Sequence, residues 1–175
     1  MVSKDRKTKF RLFGRLEETK EYDAGAKLLF LTLKQKYCDQ FLEAKKSGKK
    51  IKFVSDKLEH YRKGFNKFFR NVAILKFGVS IKQQRKYGYT HNNNCIERDH
   101  QYSKDRTKIM RHFKELKSAD EILDFLDIYY NFIDEQKLKK EKKFRTPAQR
   151  AGIKINLSKR YRLLNLIHIC MGLED

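Results

Sequence analysis

Two carboxylates stand where metal or phosphate chemistry could be done. Asp56 follows Ile51-Lys52-Phe53-Val54-Ser55, a strand pattern, and precedes a helical one. Open α/β sheets take ligands at the carboxyl ends of their strands, so an Asp there is well placed for a metal ion. The same position suits an N-cap for a helix over 57–69. Glu97 lies in His91-Asn92-Asn93-Asn94-Cys95-Ile96-Glu97-Arg98. It also has two readings, because Asn94 followed by Glu97 is the spacing of a capping box. Gln101, Lys104, Lys108 and Arg111 follow Glu97 at spacings of three and four. That arrangement puts a polar and basic stripe on the face of the carboxylate, where phosphates would lie. With Arg98 beside Glu97, these are the candidate DNA contacts. His91, Cys95 and His100 offer three ligands but no fourth at regular spacing, which argues against zinc.

Elements must position these groups. Residues 9–15 read as a short strand with Phe10 and Leu12 on one face. Asp23 opens a helix to about Lys46, striped by Ala26, Leu29, Phe30, Leu33, Tyr37, Phe41 and Leu42. Ser47-Gly48 stops it. A strand over 51–55, a helix over 58–69 and a strand within 71–77 follow. Residues 95–113 read as a helix anchored by Ile96, Tyr102, Ile109 and Phe113. Ser118-Ala119-Asp120-Glu121 is a capping-box pattern before a helix carrying Ile122, Phe125, Leu126, Tyr129 and Ile133. A basic run over 134–145 leads to Pro147 and a short turn or helix. Leu157 to Leu173 reads as a basic amphipathic helix packed back on the core. The order β-α-β-α-β-α-α indicates an α/β or α+β layer fold.

The chain has 175 residues, with 42 Lys and Arg against 22 Asp and Glu, for a net charge of +20. A domain this basic has a polyanion, first of all nucleic acid, as its expected partner. With 39% hydrophobic residues, 13 Phe and 9 Tyr, it can build a core, which excludes wholesale disorder. No apolar run reaches the roughly 20 residues of a membrane span. Three widely spaced cysteines with no CxxC pair argue against a disulfide framework.

The stretch from His91 to Arg98, followed by Lys104-Asp105-Arg106-Thr107-Lys108-Ile109-Met110-Arg111-His112-Phe113-Lys114, resembles the last catalytic block of DDE transposases of prokaryotic insertion sequences. In that family an Asn-Asn-x-Ile-Glu-Arg segment opens the helix that carries the final acidic ligand. The similarity continues through Ser118-Ala119 and Ile128-Tyr129-Tyr130-Asn131-Phe132-Ile133. It closes on Arg145-Thr146-Pro147-Ala148-Gln149-Arg150-Ala151-Gly152-Ile153, which looks like the family's Thr-Pro-Ala-x-x-Ala-Gly-Ile ending. Upstream, the strand ending in Ser55-Asp56 with Tyr61 beyond it, and Asp5-Arg6-Lys7-Thr8-Lys9-Phe10, are similar to earlier family blocks. The resemblance spans about residues 3–153.

The resemblance implies a ribonuclease-H-like fold whose three carboxylates hold two divalent metals, Mg²⁺ or Mn²⁺. One metal activates water or a DNA 3′-hydroxyl, and the other stabilises the leaving oxygen. Asp56 matches the second ligand and Glu97 the third. The family's first Asp lies on its first, central strand, ahead of the hairpin that Asp5 to Phe10 close. The expectation is therefore a ribonuclease-H-like domain over 1–153 lacking that strand, followed by a C-terminal basic helix over 154–175. Without the central strand, two sheet fragments would each expose an edge. Such a transposase fragment, inactive alone and without the family's N-terminal end-binding region, would be cytoplasmic and associated with double-stranded DNA. It would have no membrane and no small-molecule substrate, with homo-oligomerisation open. The alternative is a non-catalytic basic nucleic-acid-binding protein.

Overall fold

The stripe Ala26, Leu29, Phe30 and Leu33 is buried and forms the inner face of α1 (Tyr22–Lys36). The computed structural model describes residues 2–14, 22–55, 59–78, 94–108, 115–139, 141–158 and 160–173. The single helix expected from 23 to about 46 is two helices. The chain leaves helical geometry at Tyr37 (φ −121°, ψ 32°) and resumes as α2 (Cys38–Ser47). The break turns Phe41 into the core, 4.6 Å from the Phe69 ring, and leaves Leu42 50% exposed, so Leu42 is not part of the stripe. Asp23 lies inside α1 and does not precede it. Gly48 ends α2 with φ 67°, a left-handed cap that glycine adopts without penalty.

Strand β3 (Ile51–Ser55) pairs in parallel with β4 (Ala73–Phe77), from Ile51 opposite Ala73 to Ser55 opposite Phe77. Helix α3 (Glu59–Phe69) makes the crossover between them. A side chain at Gly64 would place its Cβ 3.0 Å from the Phe30 ring and 3.4 Å from the Ala26 backbone, so the glycine allows α1 and α3 to approach this closely. The core between these elements is built of phenylalanines. Phe30 meets Phe53, Phe65 and Phe69 edge-on at 6.0, 6.0 and 5.7 Å. Edge-to-face pairs add to the burial of such rings.

A second, smaller sheet is the antiparallel hairpin of β1 (Val2–Lys4) and β2 (Arg11–Gly14). Its turn is held by Asp5, whose carboxylate accepts the Thr8 amide at 2.7 Å and the Thr8 hydroxyl at 2.5 Å. The strand expected over 9–15 is thus Arg11–Gly14 among the described residues, and its most buried member is Arg11, not Phe10 or Leu12. Among the described residues the two sheets are separate two-stranded pairs.

Helix α4 spans Asn94–Thr107. Helix α5 (Leu116–Ile128) begins two residues before Ser118, so the Ser118–Glu121 pattern lies inside it and does not cap it. It runs on into a π-helical turn, Tyr129–Ile133. The inward face runs through Ala119 and Leu126 to Tyr130 and Asn131 of the turn, all buried, while Phe125 is 48% exposed. Thr146 caps α6 (Pro147–Arg150): its hydroxyl accepts from the Gln149 amide while the Gln149 side chain accepts from the Thr146 amide, with Pro147 at the first helical position. The short helix expected from Pro147 is therefore present. The tail helix is shorter than expected. Ser158 Oγ accepts from the Tyr161 amide at 3.4 Å, a local turn that competes with helix, and α7 runs over Arg162–Cys170. Leu166 of α7 is buried. Among the described residues no helix is long and apolar enough to cross a membrane.

Candidate functional site

Helix α4 has two faces that do different things. Glu97, Gln101, Lys104 and Lys108 fall within about 60° of one another around its axis, and all four are exposed. Arg98 is also exposed, about 100° round from Glu97 and so beside the stripe, not on it. Gln101 donates its amide to Asp105 at 2.5 Å. The structure thus places Glu97 in the first turn of α4 with two lysines ahead of it on one solvent face. A carboxylate there is supported by the positive end of the helix dipole. Asp56 and Arg111 lie outside the described residues, as do His91 and the anchors Ile109 and Phe113.

The opposite face holds Asp99, with its carboxylate 1% exposed. One oxygen takes Lys4 Nζ at 2.5 Å and Arg11 Nε at 3.0 Å. Arg11 also donates to Asp127 at 2.8 Å and to the Ser103 hydroxyl at 3.3 Å. Its guanidinium lies 4.2 Å from the centre of the Tyr130 ring and 5.0 Å from that of Tyr102. Lys4 donates to the Tyr130 hydroxyl and sits 4.1 Å from the same ring. The Asn131 amide reads the Arg11 backbone twice, accepting its N–H at 2.8 Å and donating to its carbonyl at 3.0 Å. That is the pattern of a neighbouring strand, supplied by one side chain.

Burial raises the Asp127 carboxyl above its ordinary pKa, partly offset by Arg11. Burial likewise pushes the Tyr102 hydroxyl up. The ion pairs and hydrogen bonds of Lys4, Arg11, Asp99, Asp127 and Asn131 make a largely buried cluster of two cations and two carboxylates that ties α4, β1, β2, α5 and the π-helical turn together. A buried cluster of this kind is costly to break at one partner, because the other is left as an uncompensated charge.

Sequence reasoning missed Lys4, Arg11, Asp99, Asp127, Tyr130 and Asn131 as a unit. One signal was available. Asp99 shares a helix face with Tyr102 and Arg106, opposite the stripe that begins at Glu97. A charge on an inward face requires partners, but their identity depends on strands and helices distant in sequence.

The basic run after residue 134 is a closed loop. Gln136 and Arg145 exchange backbone hydrogen bonds at 3.0 and 3.1 Å. Arg150 fastens the loop from beneath, donating to both oxygens of Glu141 at 3.0 and 3.1 Å and to the Gln136 carbonyl. Arg150 thereby holds the Glu141 carboxyl below its ordinary pKa. Lys137, Lys139, Lys142, Lys143 and Arg145 are exposed on this loop.

Among the described residues no three His, Cys, Asp or Glu side chains come together as a metal site. No curated protein matches the chain, and no solved structure matches it. A family model described as a DDE domain, that of IS240-type transposases, matches residues 31–135. That span runs from α1 through the π-helical turn and contains Asp56, Glu97 and the whole stripe to Arg111. Because the match covers more than half of the sequence, the chain belongs to the DDE-domain family of insertion-sequence transposases.

Proposed function

We propose that residues 1–175 are a DNA-binding part of a DDE transposase catalytic domain, with Asp56 and Glu97 as two of its metal-binding carboxylates. The observation that carries this reading is the position of Glu97, exposed in the first turn of α4 at the head of the Lys104 and Lys108 stripe, inside the family match. Carboxylate oxygens suit Mg²⁺ or Mn²⁺. One or two of them, with water and substrate phosphate, suffice for a single Mg²⁺. Lys104, Lys108, Arg111 and Arg98 would hold the DNA backbone, which positions a duplex without reading its sequence.

The same reading makes these residues inactive alone. Two ions about 3.5–4 Å apart must be held for strand cleavage, and two carboxylates hold one. The family's first-strand Asp has no match in this sequence, and Asp5 is committed to the hairpin turn with Thr8. The test is nicking of supercoiled DNA by residues 1–175 with Mg²⁺ or Mn²⁺, with Glu97→Gln as control. No nicking is expected. Metal-dependent nicking that Glu97→Gln abolishes would overturn the inactivity and locate a third carboxylate within the chain.

A further inference from the structure

Tyr129 and Ile133 of the π-helical turn line a groove that shares no residue with the Asp99 cluster or with the Glu97 stripe. It is an open cleft of about 1250 Å³ between the 141–145 loop and the start of α7. Its walls combine cations with aromatic rings: Lys143, Arg145 and Arg160 beside the exposed Phe144 and Tyr161 and the half-buried Tyr129. Phe144 is 60% exposed and Tyr161 55% exposed. The Arg160 guanidinium lies 5.4 Å from the centre of the Tyr161 ring. The one acidic group in the lining, Glu135, is paired with Arg162 at 2.7 Å. Among the described residues, Lys143 and Arg160 make no ion pair with a carboxylate, and the Glu141 carboxylate near Arg145 is taken up by Arg150.

We infer that this groove binds single-stranded DNA, its phosphates against Lys143, Arg145 and Arg160 and its bases stacked on Phe144 and Tyr161. Charge complementarity selects a polyanion, and the rings select the form. Duplex DNA keeps its base faces stacked inside, so it would meet the cations and leave two large rings idle in water. A single strand offers a base face to each ring, and aromatic side chains set in a positive groove are how proteins hold such strands. The rings are held ready, because the loop that presents Phe144 is closed by the Gln136–Arg145 backbone pair and the Arg150–Glu141 clip. The choice of DNA over RNA rests on the proposed function. The groove itself needs no metal.

The test is fluorescence anisotropy in EDTA with oligo(dT) of about 12 nucleotides, within the span of known single-strand sites, against a duplex and an RNA of equal length. The single strand is expected to bind more tightly than the duplex. Phe144→Ala and Tyr161→Ala should each weaken it about tenfold, near the low end of base-stacking energies, with duplex affinity changed less than threefold. Because the chain contains no Trp, Phe144→Trp gives a single indole that should retain binding and be quenched on adding oligo(dT). Lys104→Ala with Lys108→Ala should weaken the duplex and spare the single strand, which separates this groove from the α4 stripe. Equal binding of single strand and duplex, unmoved by either ring substitution, would overturn the proposal. Tighter binding of RNA than of DNA would also overturn it.

Discussion

Glu97 and Asp99 stand two residues apart on α4 and face opposite ways, Glu97 into solvent and Asp99 into a cluster with Lys4 and Arg11. The two carboxylates therefore answer differently to substitution. Asp99→Leu leaves Lys4 and part of Arg11 buried without an anion, and the expected loss is about 3–5 kcal/mol of unfolding free energy. Glu97→Gln on the open face should change stability by no more than about 0.5 kcal/mol. Urea denaturation of both variants checks this. Equal effects would mean that Asp99 does not anchor the helix.

Duplex binding is expected to depend steeply on salt. Five phosphate contacts would give a slope of log K against log salt of roughly −5, at about −0.9 for each contact. Replacing Lys104 and Lys108 together by alanine should make the slope shallower by about 2, and should weaken binding similarly for unrelated sequences. An unchanged slope would move the duplex off α4.

Much of this arrangement was legible in the sequence, and the reasons are local. Strand β3 begins and ends where its pattern places it, because Ile51, Phe53 and Val54 are a short strand-forming cluster between a Gly48 stop and a helix. The Thr146-Pro147 start of α6 was legible because its capping groups all lie within four residues. What was not legible depends on distant partners. Arg11 reads as the polar position of an alternating strand, yet it is the strand's buried residue, since Asp99, Asp127 and Asn131 arrive from 88 to 120 positions away. The π-helical turn left no trace in the apolar spacing either. Phe125 and Leu126 look equivalent along the chain, and only Leu126 is buried.

The basic loop should loosen in acid. Arg150 holds the Glu141 carboxyl below its ordinary pKa. A depressed carboxyl contributes stability above its unfolded pKa and loses it as the pH falls through the lower, folded value. Protection of the Gln136 and Arg145 amides, measured by NMR exchange, should therefore be full at neutral pH and fall below the ordinary glutamate range. Glu141→Gln should lower protection at neutral pH and flatten the pH dependence. A variant that titrates like the parent would show that other groups close the loop.

Asp56 and Glu97 are proposed to share one divalent cation, and paramagnetic broadening by Mn²⁺ tests this most directly. In a ¹⁵N-labelled chain, low Mn²⁺ should broaden amides around Ser55 and around Glu97 together, at the same metal concentration, and excess Mg²⁺ should restore them. Asp56→Asn and Glu97→Gln should each weaken both sets. Broadening around Glu97 that leaves the end of β3 sharp, or that survives both substitutions, would contradict the shared site.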